Sequence, residues 1–398
     1  MIAKALSRTI ITAPMVFIGF GVVLSHFDVI EAERAEHLLH LVAEIALVML
    51  LFLDASQINL SDLRKRHVWP FRKLFIGLPL AIGLGALAAW PFLPGWPIVA
   101  VVLVAAILSP TDAALGQAVV TNKAVPERER TSLTVESGLN DGLALPLILL
   151  FTCMTVGVTG GVTGGEGDEQ TNWLMFAAMQ VTLGPLIGIL AGMVGGKALL
   201  WASDKNLTEP VYEGIAAISL AGVAYLLATQ VGGNGFIAAF VAGLVFGNIV
   251  KGGCKFIYEF TEGEGQLLTW AAFLLVGLAL VPDAIEHLTP SVLAIILLSL
   301  FIVRPLAIWI SLIGTDAPAV TRLFFGWFGP RGLATALFTL LVVAQLDHEF
   351  AEPILHLAAN AVWISALLHG ISAVPAAALY ARYMSKRTAH ETVTDIPK

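Results

Sequence analysis

Apolar positions run along this chain in long blocks broken by short polar connections, with no sustained two-residue alternation. A block of about 20 apolar residues is long enough to cross a bilayer as a helix. Twelve such spans are predicted, at about 10–28, 37–57, 72–91, 97–121, 131–154, 172–198, 211–230, 235–250, 266–281, 289–313, 317–345 and 354–383. The expected fold is an all-α polytopic membrane protein of about 12 transmembrane helices.

Two spans are interrupted. The fourth, VVLVAAILSPTDAALGQAVV, carries Pro110 at its centre, followed by Thr111 and Asp112. The eleventh, RLFFGWFGPRGLATALFTLL, carries Gly329-Pro330-Arg331-Gly332. Proline removes a backbone donor and clashes with the preceding turn, so both helices should unwind or kink there. Backbone groups freed at mid-membrane persist only where protein or a water-filled cavity satisfies them. Breaks in spans four and eleven, each with an ionisable residue, pair spans three to five with spans ten to twelve as inverted repeats whose broken helices cross at mid-membrane. The repeat is read from this pattern, and no sequence identity between the two triplets is visible by eye.

The fifth span, TSLTVESGLNDGLALPLILL from Thr131 to Leu150, holds Glu136, Asn140 and Asp141 near its middle. A charge at that depth costs from a few to roughly ten kcal/mol, so it persists mainly against a cavity, a partner or a passing ion. At about 100° per residue, Glu136 and Asn140 share one stripe, Ser137 and Asp141 the next, and Gly138 and Gly142 a third where another helix can approach closely.

Composition agrees: 57% of residues are apolar and 13% charged, against about 25% charged in soluble chains. The net charge of −7 does not point to nucleic acid, because the basic residues sit in short loops. Those loops alternate in charge. Of 22 Lys and Arg residues, only Arg34 falls on the acidic side, with Asp283, Glu286, Asp347, Glu349 and Glu352. Arg304 and Arg331 fall inside spans, and Arg72 and Lys73 count with the basic loops. The positive-inside rule then places both termini in the cytoplasm, with an even number of spans in the cell (inner) membrane. Lys4 and Arg8 precede an apolar run without a clear cleavage site, so that run is kept as a helix and not read as a signal peptide. Cys153 and Cys254 fall on opposite sides and make no disulfide framework.

Half-helix ends carry partial charge, positive at N-termini and negative at C-termini. Asp112 can neutralise the first kind and Arg331 the second, which leaves Asp141, on an unbroken helix, as the acid free to exchange ions. Arg304 cannot shed its proton, and Glu136 lies at matching depth, so the two are read as a structural ion pair joining the triplets. Asp54, in LFLDASQINL, reads equally as a surface-proximal acid and as an ion-access residue. Glu44 has no assignment. Asn234 and Asn248 read as caps, and His369 and Glu213 as inter-helix hydrogen bonders.

Together LFLDASQINLSDLRK, SPTDA, ESGLNDG, VRPL and GPRG, in that order, resemble the monovalent cation:proton antiporters, in the Na⁺/H⁺ exchanger branch that includes the NhaP-type proteins. The resemblance covers nearly the whole chain. It implies that Asp141 is the shared ion- and proton-binding carboxylate, and that Asn140 before it marks electroneutral exchange. Asp141, Ser137, Thr111 and Asp54 would ligate Na⁺, with Asp112 in the same unwound element. Glu136 and Arg304 match a pair of the core domain, and Arg331 matches the second broken helix. It also implies a homodimer, with a core at about 72–154 and 289–383 moving against the remaining, dimerisation helices within one unit of residues 1–385, followed by a short cytoplasmic tail at 386–398. No cofactor beyond the transported Na⁺ and H⁺ is implied. The chain departs from many members in having twelve rather than thirteen expected spans, and from the family's pattern in placing Pro110 before Thr111 and Ala113 after Asp112, and no long regulatory tail is expected after Arg387.

The expected activity is alternating-access exchange of Na⁺ (or Li⁺) for H⁺, one for one, and not an enzymatic reaction. A K⁺/H⁺ antiporter is the runner-up, since hydroxyl and carboxylate ligands do not fix ion size. A cation channel would use the same acids but would not couple flux to protons. An intramembrane aspartyl protease is disfavoured because SGLNDG lacks the Gly-x-Gly-Asp element.

Overall fold

The regular elements of the described residues are helices throughout. A computed structural model describes residues 12–27, 32–61, 68–112, 115–159, 172–251 and 255–394. Lys4, Arg8, Ala113, Cys254 and the tail end beyond 394 fall outside them. The helices are α1 (Ala13–His26), α2 (Ala32–Ser56), α3 (Val68–Phe92), α4a (Ile98–Ile107) with α4b (Gln117–Val120), α5 (Glu127–Thr159), α6 (Asn172–Asp204), α7 (Pro210–Gln230), α8 (Gly235–Val250), α9 (Lys255–Ala279), α10 (Pro290–Ser311), α11a (Ala319–Trp327) with α11b (Leu333–Val343), and α12 (His348–Thr394). Each predicted span holds one helix or one broken helix.

Boundaries shift where polar residues stay helical beyond the apolar block. Thus α5 starts at Glu127 and α12 runs to Thr394. A short connector helix, Val281–Glu286, lies between α9 and α10 and was not predicted. By length and composition α3, α5, Thr182–Asp204 of α6, α7, α10 and α12 can each cross a membrane, and α1, α4a, α8, Gly265–Ala279 of α9 and α11b are shorter apolar helices.

The helices pack as two groups. One contains α1, α2 and α6 to α9; the other contains α3 to α5 and α10 to α12. Lipid tails are as apolar as the helices, so association depends on close van der Waals contact. Glycine supplies it in the first group: a Cβ on Gly243 or Gly247 of α8 would strike the α2 backbone at Phe52 or Ser56. The groups meet where α2 crosses α5 and α11b, and where α1 crosses α12.

Within the second group the repeat is visible in sequence after all, which corrects the expectation above. LFIGLPLAI at 74–82 and LFIVRPLAI at 300–308 match at seven of nine positions. Both run through a π-helical turn, Lys73–Gly77 in α3 and Ser299–Val303 in α10. In each, the residue before the proline donates its N–H five residues back, Leu78 to Lys73 and Arg304 to Ser299. The proline, lacking a donor, favours that slippage. Burial matches too: Leu74 and Leu300 are buried, and Phe75, Ile76, Phe301 and Ile302 are exposed where lipid would lie.

Candidate functional site

The two breaks meet and complete each other. Asp112 donates its backbone N–H to Pro330 O at 2.9 Å, and its Oδ2 accepts from Leu333 N at 2.7 Å. That carboxylate therefore sits at the electropositive start of α11b. Arg331, 1% exposed, donates through Nη1 to Ser109 O at 2.5 Å and Pro110 O at 3.2 Å, the carbonyls that follow α4a. Its Nη2 reaches Ser299 Oγ at 3.2 Å, and Ser365 Oγ accepts its backbone N–H at 2.7 Å. Two glycines permit this approach. A Cβ on Gly329 would overlap the Arg304 guanidinium, and one on Gly332 would overlap the Asp112 carboxylate.

Glu136 lies behind the crossing. Its Oε1 is 2.8 Å from Arg304 Nη2 and its Oε2 is 2.6 Å from Lys73 Nζ. Lys73 also donates to Ser132 O at 3.1 Å and stands 4.0 Å over the Phe325 ring. All three charged side chains are buried. Counting Lys73 among the solvated loop residues is therefore corrected: an apolar stem let it enter with the second turn of α3 while Glu136 satisfied its charge. The available signal was its place directly before LFIGLPLAI, whose second copy contains Arg304.

One turn further along α5, and on the adjoining stripe, the polar groups are left open. Asn140 Nδ2 donates to Thr111 Oγ1 at 2.5 Å, and Thr111 Oγ1 is 3.4 Å from Ser137 Oγ. The Oδ1 atoms of both Asn140 and Asp141 are buried with no hydrogen-bond partner. Asp54 and Asp112 both lie within electrostatic reach of Asp141. Asp54 arrives from α2 and is exposed; α2 approaches at Gly138, where an added Cβ would stand 3.2 Å from Ile58 Cδ1. Gly142 seats the Phe240 ring of α8. Thr111, Asp112, Ser137, Asn140, Asp141 and Asp54 are thus brought to one place. A buried oxygen acceptor without a donor is costly. Two of them on consecutive residues suit a small monovalent cation, or a proton on the carboxylate.

The remaining polar residues serve packing. Asn234 accepts from Ile237 N at 2.9 Å and caps α8. Asn248 instead donates to Ile58 O and to Leu244 O, both at 2.8 Å, and accepts from Leu60 N at 3.0 Å, so it ties the segment after α2 to α8. His369 Nε2 meets Trp327 O at 2.9 Å. Glu44 accepts from the Tyr225 hydroxyl, away from the crossing. A clasp that the sequence reading missed lies on the basic side. Arg128 holds Asp316 at 2.5 and 3.0 Å, Trp69 Nε1 donates to the same carboxylate at 2.8 Å, and the guanidinium stacks 3.6 Å over the Trp69 ring.

The model of the sodium/hydrogen exchanger transmembrane family matches residues 1–379. Similar curated proteins include the K(+)/H(+) antiporter NhaP2 of Shewanella sp. (strain MR-4), 28% identical over 347 residues, covering 85% of this chain and 57% of that protein. The K(+)/H(+) antiporter NhaP of Alkalimonas amylolytica is 29% identical over 317 residues, covering 78% and 53%. The chain spans a little over half the length of these relatives. Among solved structures, the sodium proton antiporter MjNhaP1 from Methanocaldococcus jannaschii at pH 8 superposes with a TM-score of 0.78 over 95% of both chains at 19% identity, which establishes a shared fold.

Proposed function

This chain belongs to the sodium/hydrogen exchanger family, and from that premise we propose that it is a cation/proton antiporter, a carrier and not an enzyme. It exchanges one Na⁺ (or Li⁺) for one H⁺ across the cell membrane, with Asp141 as the shared site. The observation that carries this reading is the pair of buried, unpartnered oxygens on Asn140 and Asp141 at the helix crossing. Thr111 and Ser137 add hydroxyls, and Asp54 supplies the approach from the exposed side.

The charge balance supports the stoichiometry. Four carboxylates (Asp54, Asp112, Glu136 and Asp141) gather with three cations, Lys73, Arg304 and Arg331. With all ionised, one monovalent ion or one proton neutralises the set. Carrying the uncompensated anion through the barrier is penalised, so only the occupied core crosses and exchange is enforced. The α3–α5 and α10–α12 group moves against the remaining helices, which also form the dimer contact, and both termini are cytoplasmic.

The test is purified protein in liposomes with an internal pH dye, under imposed Na⁺, Li⁺ or K⁺ gradients. Na⁺ should dissipate the pH gradient, and Asp141→Asn should abolish the response. A net-neutral cycle should ignore membrane potential, although voltage is worth about 2.3 kcal/mol per charge per 100 mV. A response to potential would exclude the one-to-one ratio, and proton-independent flux would indicate a channel. K⁺ is the second reading, favoured by the K(+)/H(+) names of the relatives at 28 and 29% identity. Coupling to K⁺ but not to Na⁺ would establish it.

A further inference from the structure

The connector Val281–Glu286 lies opposite the basic loops, between α9 of one helix group and α10 of the other. It presents Asp283, and His287 follows one turn later. Facing it near the start of α12 are Glu352 and, one turn later, His356. Residues four apart on a helix share a face, so two carboxylate–imidazole pairs confront each other. Asp283 Oδ2 is 2.6 Å from His356 Nε2, and Asp283 Oδ1 is 3.3 Å from His287 Nδ1. The two imidazoles stack at 4.2 Å between centroids and 10° between planes. One ligand atom from each of Asp283, His287 and His356 lies within 4.8 Å of the others. Glu352 and Glu286 are within electrostatic reach of His287.

We propose that Asp283, His287 and His356 bind a divalent transition-metal ion of the zinc class, with Glu286 and Glu352 adding negative charge around it, and that the bound ion brakes transport. Imidazole and carboxylate donors suit such an ion at about 2.0–2.2 Å, which puts tetrahedral ligands about 3.3 Å apart. One ligand atom from each already lies within 4.8 Å of the others, so a small closure brings them to that spacing. His287 Nδ1 lies 2.9 Å from Asp283 O; a proton held there leaves Nε2 its lone pair and fixes the ring orientation. The brake follows from position. Asn360 Nδ2 already donates to Ala284 O at 2.5 Å, tying the connector to α12. An ion held by both would stiffen the joint through which one helix group must move against the other.

The brake rests on the antiporter reading; the binding does not. The test uses the full chain in detergent with any affinity tag removed. Zn²⁺ is titrated against a chromogenic chelator, for wild type and for the double variant His287→Gln/His356→Gln, which replaces both imidazoles with neutral polar side chains. One ion per chain is expected, with affinity at least ten-fold weaker in the double variant. In liposomes, Zn²⁺ on the connector side should slow cation-driven proton flux in the wild type and leave the variant unaffected, with Mg²⁺ inert in both. No saturable binding, equal binding by the two proteins, or equal slowing of both overturns the proposal. Failure of the antiporter reading would show separately, as absent flux in both proteins before Zn²⁺ is added.

Discussion

Glu136 and Asp141 sit little more than one turn apart on α5, yet they meet opposite conditions. Glu136 has a cation on each oxygen, Lys73 and Arg304. Asp141 has a buried oxygen with no partner at all. A buried charge that is permanently paired is part of the scaffold, and removing one partner strands the others. A buried charge left open is costly to the fold and is retained for what it can accept. The same helix therefore supplies a fixed joint on one face and a replaceable ion site on the next.

The sharpest way to break the comparison is to neutralise each acid in turn. Asp141→Asn should abolish cation-driven proton flux while the protein keeps its thermal stability, or gains some, because an uncompensated carboxylate is gone. Glu136→Gln should do the reverse. It leaves Lys73 and Arg304 buried together without an anion, which should cost about 3–5 kcal/mol. Adding Lys73→Met to Glu136→Gln should restore part of that loss. The readouts are flux in liposomes and thermal unfolding in detergent. Equal loss of stability for both single variants would show that the two acids have the same role.

Asp112 stands between these cases, with its carboxylate on the backbone start of α11b. Asp112→Asn keeps an acceptor for Leu333 N but removes the charge at the start of α11b. A charge at a helix end is worth about 0.3–2 kcal/mol, so a modest loss of stability is expected, with weaker cation affinity and residual turnover. Complete loss of turnover would move Asp112 from bracing to direct ion exchange.

The difference between the two faces of α5 also explains what was legible in sequence. Proline and glycine breaks mark unwound helices because their backbone chemistry is local, so the crossing of Pro110 and Pro330 could be anticipated from residue type. The pairing of Glu136 with Arg304 followed from matching depth. Lys73 was not legible, because a lysine at the edge of an apolar block looks the same whether it turns to water or inward. The open oxygen of Asp141 was legible only as an unpaired acid. That its neighbours Asn140 and Thr111 are arranged without a donor for it is a tertiary fact. The connector and its histidines were hidden for the same reason: Asp283 and His356 are separated by α10 and α11 in sequence.

The smallest effect is expected at the clasp on the basic side, where pairing is complete but exposed. Arg128 holds the Asp316 carboxyl below the usual carboxylate range, with the Trp69 N–H adding to it. A group whose folded value is depressed contributes stability above its unfolded value, about 3.9, and loses it as pH falls through the folded value. The Asp316 side chain is 61% exposed, so solvent screening limits the contribution to about 0–1 kcal/mol. Asp316→Asn should therefore lower the unfolding temperature slightly at pH 7, and the gap from wild type should close towards pH 3. Thermal unfolding in detergent at the two pH values checks it. A gap that persists unchanged at pH 3 would assign the clasp to the stacking of Arg128 on Trp69 and not to its charge pair, leaving the buried triad at Glu136 as the electrostatic joint of this helix group.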